Sequence, residues 1–372
     1  MGFESRFDRA LEQSRRRENE QTANKLDAAA ELLTPKLSDF ATSPDHSADV
    51  EADERYVQGT ESRFDQDPSY HAKGLEHFFQ FGIGQGRLLS DPSENNLYET
   101  EQTWVTRFDD LRNRIDAAAT VHVFPEGSPD HQEHAITFGI DLTTNPDPSV
   151  IRRKILVGSN DPSVDFPVGF SQIKYYVDQN GFRGRRTCIP RYCIGMSSES
   201  TDDMLDGVSV SAGQIHIKPG TEAVPAFKIL YEMSKQNGLF ETPLYRKDDE
   251  GTITEEETQA LADISVLDGV YIRELSRIAQ QLPAWAREGC ETSNGVIDTD
   301  KVAEKFMQGD ERDETFATIV AVCQELSDHC DQSSDPDWLK KASERLRRPP
   351  AQANQRRGHA AYTIAYRAGG LK

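Results

Sequence analysis

Two short runs, residues 115–124 and 135–142, constrain this chain more than any other stretch. Both are rich in β-branched and apolar residues. The segment between them, PEGSPDHQEH, is a cluster of turn formers, so the pattern predicts an antiparallel hairpin. Pairing about that turn sets Asp116, near the start of the first strand, almost opposite Asp141, near the end of the second. Carboxylates at cross-strand distance repel. A cation between them removes the repulsion, and hard divalent cations such as Mg²⁺ prefer carboxylate oxygens. A third run, GFSQIKYYV, places Phe170, Gln172, Lys174 and Tyr176 on one face by its period of two. Gln172 can lend a carbonyl oxygen to a metal, and Lys174 can hold a phosphate or polarise a water. The plainer reading is a hairpin whose Asp residues cap turns, beside a lysine that extends its head to solvent.

Over about residues 95–195, Asp141 followed by Gln172-Ile173-Lys174 resembles the PD-(D/E)xK, or restriction-endonuclease-like, nuclease superfamily. There an Asp on one core strand and a Glu-x-Lys, sometimes Gln-x-Lys, on the next bind Mg²⁺ and cut phosphodiesters. The resemblance implies an α/β fold with a small mixed sheet flanked by helices. It implies Mg²⁺, or Mn²⁺ in its place, held by Asp116, Asp141 and Gln172, with Lys174 orienting or deprotonating water. An alternative alignment makes Asp116 the metal Asp and Asp141-Leu142-Thr143 a degenerate third motif. The superfamily's helical acidic residue falls on Glu99 or Glu101, in a segment, 93–106, expected to be a helix. Two departures stand out: Gln for the usual Glu, and a predicted helix near 149–157 that interrupts the strands. Arg183, Arg185, Arg186 and Arg191 form a basic cluster beside this motif. They read equally as phosphate contacts or as a solvated turn, with Arg191 the one expected to point inward.

The function implied is metal-dependent phosphodiester hydrolysis on DNA or RNA. The rival is a non-catalytic scaffold or interaction protein that keeps the fold, favoured by Gln172 and by the charge. A nucleotide-binding α/β fold is a weaker third reading, because no glycine loop follows a strand. The glycines of GIGQG, 82–86, follow a helix and read as its stop.

A net charge of −21 and a pI near 4.9 exclude nucleic-acid binding through whole-molecule charge, though not through a locally basic cleft. Mean hydropathy is −0.67 and no apolar run approaches a membrane span, so no membrane role is expected. The five cysteines include no CxxC pair, and the N-terminus lacks a signal core. The expected compartment is therefore the cytoplasm, with reduced thiols. The predicted organisation is a polar helix and mobile linker over 1–70, with the acidic stretch 41–70 the mobile part. An α/β domain follows over 71–240, with a docked helix in 71–90 and a strand over 187–195 beside Gln172–Lys174. An all-helical region spans 255–348, and a basic tail 349–372 follows.

Overall fold

The computed structural model describes residues 3–42, 49–62, 69–85, 88–90, 97–124, 134–158, 167–178, 181, 183–211, 214–241, 255–309, 312–333 and 338–347. The basic tail lies outside them. Helices α1 (Phe3–Glu31), α2 (Val50–Glu61) and α3 (Tyr70–Gly84) precede strands β1 (Tyr98–Val105), β2 (Ala117–Val123) and β3 (His134–Thr143). Helix α4 (Pro148–Leu156), strands β4 (Phe170–Val177) and β5 (Arg183–Gly195), and helix α5 (Ser198–Leu205) follow. A small hairpin of β6 (Val208–Ser211) and β7 (Gln214–Ile217) leads into α6 (Ala223–Glu241). The remainder is helical: α7 (Glu255–Gln281), α8 (Ala284–Arg287), α9 (Thr299–Met307), α10 (Glu314–Gln332) and α11 (Trp338–Arg347). The chain is thus mixed α/β, with a five-stranded mixed sheet and a helical C-terminal half.

The strand order is β1-β2-β3-β5-β4, and the sheet closes where Trp104 and Val105 of β1 meet Val177 and Tyr176 of β4. The predicted hairpin is present: β2 and β3 pair antiparallel from Ala117↔Ile140 to Val123↔His134. β5 runs parallel to β3, and α4 lies in the connection between them. The alternation along β2 serves two cores. Ala117, Ala119 and Val121 face the main core with α3, where alanine's small side chain lets the helix approach closely. Ala118 faces the inside of the closed sheet with Val105, Ile115, Ile173, Tyr176 and Ile189.

The main core is continuous from Ala23 to Leu339, so the C-terminal helices share it with the sheet. Helix α10 packs on α4, α6 and β5. Several polar groups inside are matched. Lys228 donates to Asp313 at 2.9 Å, and Asp313 also caps α10 by accepting from Thr315 and Phe316 N–H. Tyr98 hydroxyl bonds Glu274 of α7, which also pairs with Arg277.

Three expectations change. Residues 98–105, expected in a helix, are strand β1. Helix α1, expected to dock only at its ends, docks through its second half, burying Ala23, Leu26 and Ala30, with Asn19 bonded to Asp202, while residues 9–14 are exposed. Within the stretch expected to be a mobile linker, residues 50–61 form α2. It buries Val50 and packs Tyr56 and Val57 against the Leu37, Phe40, Phe108 and Tyr175 cluster. Among the described residues no helix is long and apolar enough to cross a membrane.

Candidate functional site

Asp116 stands one residue before β2, and Asp141 one residue past Ile140, the partner of Ala117, so the two carboxyl groups come from the same end of the hairpin. The backbone there is pinned: Asp116 N–H donates to Ile140 carbonyl at 2.8 Å, and Leu142 N–H donates to Asp116 Oδ2 at 2.6 Å. Two further carboxyl groups join them. Asp110 lies in a π-helical turn, Asp109–Asn113, between β1 and β2, and its carboxyl is in hydrogen-bond contact with that of Asp116. Glu76 comes from α3, where Gln80 one turn on donates both to Glu76 Oε1 at 3.4 Å and to Asp116 carbonyl at 3.2 Å. The four residues therefore arrive from a helix, a π-turn and two adjacent strands.

These side chains lie deep in the protein, yet Glu76, Asp110 and Asp116 keep part of their surface in contact with solvent. Burial pushes the Glu76 carboxyl well above the usual carboxylate range, and the neighbouring Asp116 and Asp110 push it further. Asp116 is raised in the same way by burial and then by Asp141 and Asp110. Asp110 is raised too, chiefly by burial, with Arg107 acting against it. Carboxyl groups that share a low-dielectric setting raise one another, while Arg107 pairs with Asp110 and opposes the rise there.

Asp141 differs. It is 2 % exposed, and both its oxygens are taken. Lys154 of α4 reaches Oδ1 and also donates to Leu142 carbonyl at 3.0 Å. Arg191 of β5 donates to Oδ2 at 2.9 Å and to the carbonyls of Lys154 and Val157. Burial alone lowers the Lys154 ammonium, but Asp141 and Asp116 more than offset it and hold the group protonated. Gly158 makes room for this arrangement: a Cβ there would stand 2.0 Å from Phe170 carbonyl.

Other predicted site residues are placed elsewhere. β4 is separated from β3 by β5, so Gln172-Ile173-Lys174 does not adjoin Asp141. Gln172 is buried on β4 level with the 186–189 stretch of β5, whereas Asp141 pairs with Cys193. Lys174 points to α2, with its ammonium 2.6 Å from Asp53 and 3.0 Å from Asp49. Glu99 is exposed on β1, and Glu101 is buried against His122 at 3.2 Å, so neither is the helical acid. Of the four arginines only Arg191 reaches the carboxylates. Arg183 bonds Asp39 carbonyl, Arg186 lies over the Tyr176 ring, and Arg185 is exposed toward the same far end of β5. Residues that the motif search passed over are Glu76, Asp110 and Lys154. Their signals were weak: a Glu76/Gln80 pair one turn apart on an otherwise apolar helix, and an Arg-Arg-Lys run in the helix after the second strand.

A separate buried carboxyl organises the β4 end. Asp109 accepts from Lys174 N–H at 2.6 Å, Tyr175 N–H at 2.9 Å, Asn113 Nδ2 at 2.8 Å and Thr106 hydroxyl at 3.1 Å. It satisfies the amides freed where the β4–β5 register shifts. Burial raises its carboxyl to about 6, against the pull of these four bonds.

Among the described residues no three His, Cys, Asp or Glu side chains are gathered closely enough to hold a metal ion as they stand. The donor chemistry nevertheless fits a hard cation. All the available donors are carboxylate oxygens, although Arg107 already pairs with Asp110, and Lys154 and Arg191 hold Asp141. Comparison with models of known protein families, with curated proteins and with solved structures finds no match.

Proposed function

We propose that the cluster of Glu76, Asp110, Asp116, Asp141 and Lys154 is a hydrolytic centre for phosphodiesters that depends on a divalent cation, Mg²⁺ or Mn²⁺. The observation that carries this reading is the gathering of carboxyl groups from α3, the π-turn, the residue before β2, and β3, three of them partly exposed, beside a lysine. It supports the second of the two alignments to the PD-(D/E)xK pattern. Asp116 takes the role of the metal Asp, Asp141-Leu142-Thr143 is the degenerate third motif, and Glu76 replaces Glu99 or Glu101 as the helical acid. Lys154, from the following helix, takes the role first given to Lys174.

In this reading Asp116, Asp110 and Glu76 hold the cation, and Asp141 joins them when Lys154 releases it. The cation would supply Lewis acidity and a water of lowered pKa. The protein's own groups do the rest. Asp141 and Arg191 fix the position of Lys154, and Lys154, kept protonated, is placed to donate a hydrogen bond to a phosphoryl oxygen or to orient a water. A second reading, a scaffold that keeps the fold without the chemistry, is favoured by the saturation of both Asp141 oxygens by Lys154 and Arg191.

The test pairs thermal unfolding with a cleavage assay. Mg²⁺ or Mn²⁺ is expected to raise the melting temperature, since a ligand that binds only the folded state stabilises it. The same ions are expected to support cutting of single-stranded or duplex DNA or RNA. Glu76→Gln should remove the metal-dependent shift, and Lys154→Ala should keep the shift but lose cleavage. A wild-type protein showing neither metal-dependent stabilisation nor cleavage leaves the scaffold reading in possession.

A further inference from the structure

Lys228 of α6 is 3 % exposed, and its ammonium has three hydrogens to place. Asp313 takes one at 2.9 Å and the Ser200 hydroxyl another at 3.0 Å. The Phe306 ring, 5.0 Å away, offers a cation–π contact and no oxygen. One N–H of this buried ammonium therefore has no oxygen partner among the described residues. Ser200 accepts from Lys228, so its own hydroxyl hydrogen is also there to be donated. Asp313 does not cancel the charge alone. Its second oxygen accepts from the N–H groups of Ser197, Thr315 and Phe316 at 2.9, 3.1 and 3.0 Å, which spreads its negative charge over the start of α10 as well as over Lys228.

These donors border open space. Lys228, Ser200 and Phe306 all line a cavity of about 300 Å³ between α5, α6, α8 and α9. That volume lies at the small end of ligand pockets, which run from roughly 300 to 1,000 Å³. Much of the rest of the wall is apolar, with Met196, Met204, Val224 and Trp285. The rings of Trp285 and Phe306 are 5.6 Å apart at 86°, so they make a corner. A further ring can stack on one of them and meet the other edge-on, the two arrangements that aromatic pairs prefer. Trp285 keeps 41 % of its surface exposed, so the corner is open to solvent.

We propose that this cavity binds a small carboxylic acid bearing one aromatic ring, with its carboxylate on Lys228 and Ser200 and its ring in the corner of Trp285 and Phe306. A carboxylate is the acceptor that both donors lack, and its two oxygens can take both at once. One negative charge matches one cation: Lys228 is the single Lys or Arg of the lining among the described residues, and Asp203, the acid of the lining, is held by Arg15. A phosphate dianion would meet that lone cation beside Asp313, on a chain of net charge −21. The volume takes a ring with a short chain and excludes a nucleotide. The site shares no residue with the carboxylate cluster around Asp116, so it stands whether or not that cluster is a hydrolytic centre.

The probes are 3-phenylpropanoate, 3-phenylpropanamide and 3-phenylpropylamine, titrated calorimetrically into the full chain at pH 7.5. The carboxylate should bind saturably at one per chain and raise the melting temperature. The amide keeps the ring but loses the charge-assisted bonds, and should bind about tenfold more weakly. The amine should show no binding. Lys228 itself is left intact, because its loss would strip Asp313 of a buried partner. Val224 is half-buried on the cavity wall, and Val224→Trp fills the space, so binding should be lost. Trp285→Ala changes an exposed side chain, keeps the fold, and should weaken the carboxylate by about three- to tenfold; it decides the matter if Val224→Trp does not fold. Any of four results overturns the proposal: no saturable binding of the carboxylate, equal affinity for carboxylate and amide, a folded Val224→Trp that binds as the wild type does, or Trp285→Ala with unchanged affinity.

Discussion

Asp116→Asn should make the metal-free protein more stable while destroying its response to metal. Asp116 lies near Asp141 and Asp110, and its carboxyl is raised first by burial and then by those two neighbours. Two carboxylates about 6 Å apart repel by about 3 kcal/mol at an effective dielectric of ~20. Lys154 offsets part of this, so removing the Asp116 charge should return about 1–3 kcal/mol. The Asn carbonyl can still accept from Leu142 N–H, which keeps the backbone in place. For a chain of 372 residues the unfolding entropy is near 0.8 kcal/mol/K, so the melting temperature should rise by about 1–4 °C. The sign with pH follows from linkage. A carboxyl whose folded-state pKa is raised destabilises the fold once it ionises, so the advantage of Asn should be absent near pH 4 and grow as pH rises through the folded-state pKa. The assay is thermal unfolding in EDTA at a series of pH values, repeated with Mg²⁺. A less stable variant at pH 7.5, or a difference that ignores pH, would refute the idea that these carboxyl groups repel one another.

Asp109→Ala should destabilise by about 3–6 kcal/mol, because it strips two buried backbone amides and two side-chain donors of their acceptor; urea unfolding measures it. Since burial raises Asp109 to about 6, its titration contributes most stability below pH ~4 and loses it as pH rises to about 6, a slope that Asp109→Asn should flatten in the same measurement. Arg191→Leu should cost about 3–5 kcal/mol by leaving a buried carboxylate short of one of its two cations; a chemical unfolding midpoint equal to that of the wild type would contradict this.

The hairpin was legible because two independent signals agree on it, alternation and a turn cluster, and they place Asp116 and Asp141 at the same end of it. The Gln172-x-Lys174 motif misled for a reason of topology. Sequence order says that β4 follows β3, but not that β5 enters between them, so a local match landed beyond the neighbouring strand. Strand β1 was hidden by composition. YETEQTWV carries two Glu and a Gln, residues at home in helices, yet its tertiary setting buries Tyr98, Glu101, Thr103 and Val105 in a sheet. Glu76 was hidden by the opposite effect. Its helix is recognised by Leu75, Phe78 and Phe79, the face that packs, and the polar pair on the other face reads as solvent until the third dimension places Asp116 beside it.

The energetics of the two carboxylate environments bear on the choice between enzyme and scaffold. Asp141 with Arg191 and Lys154 is a buried, hydrogen-bonded ionic group of the kind that a purely structural core can hold. Glu76, Asp110 and Asp116 are less fully compensated, although Arg107 pairs with Asp110 and Leu142 N–H with Asp116. Burial raises all three, and neighbouring carboxylates raise Glu76 and Asp116 further, a cost to the fold as they ionise. Solvent-facing substitutions to Gln or Asn would relieve that cost without disturbing the packing of α3 or β2. A site that is strained alone and relaxed by a cation has the energetic form of a binding site, and stability given up at such a place accords with the usual conflict between stability and function. Lys154 is the hinge of this balance. While it holds Asp141, the cluster is partly neutralised from within; once it turns to a phosphoryl oxygen, Asp141 becomes a fourth ligand. The two states use the same side chains, so a single measurement, the effect of Lys154→Ala on metal affinity, separates them. Affinity should rise if Lys154 competes with the cation for Asp141, and should fall or stay unchanged if the lysine only completes a structural ion pair.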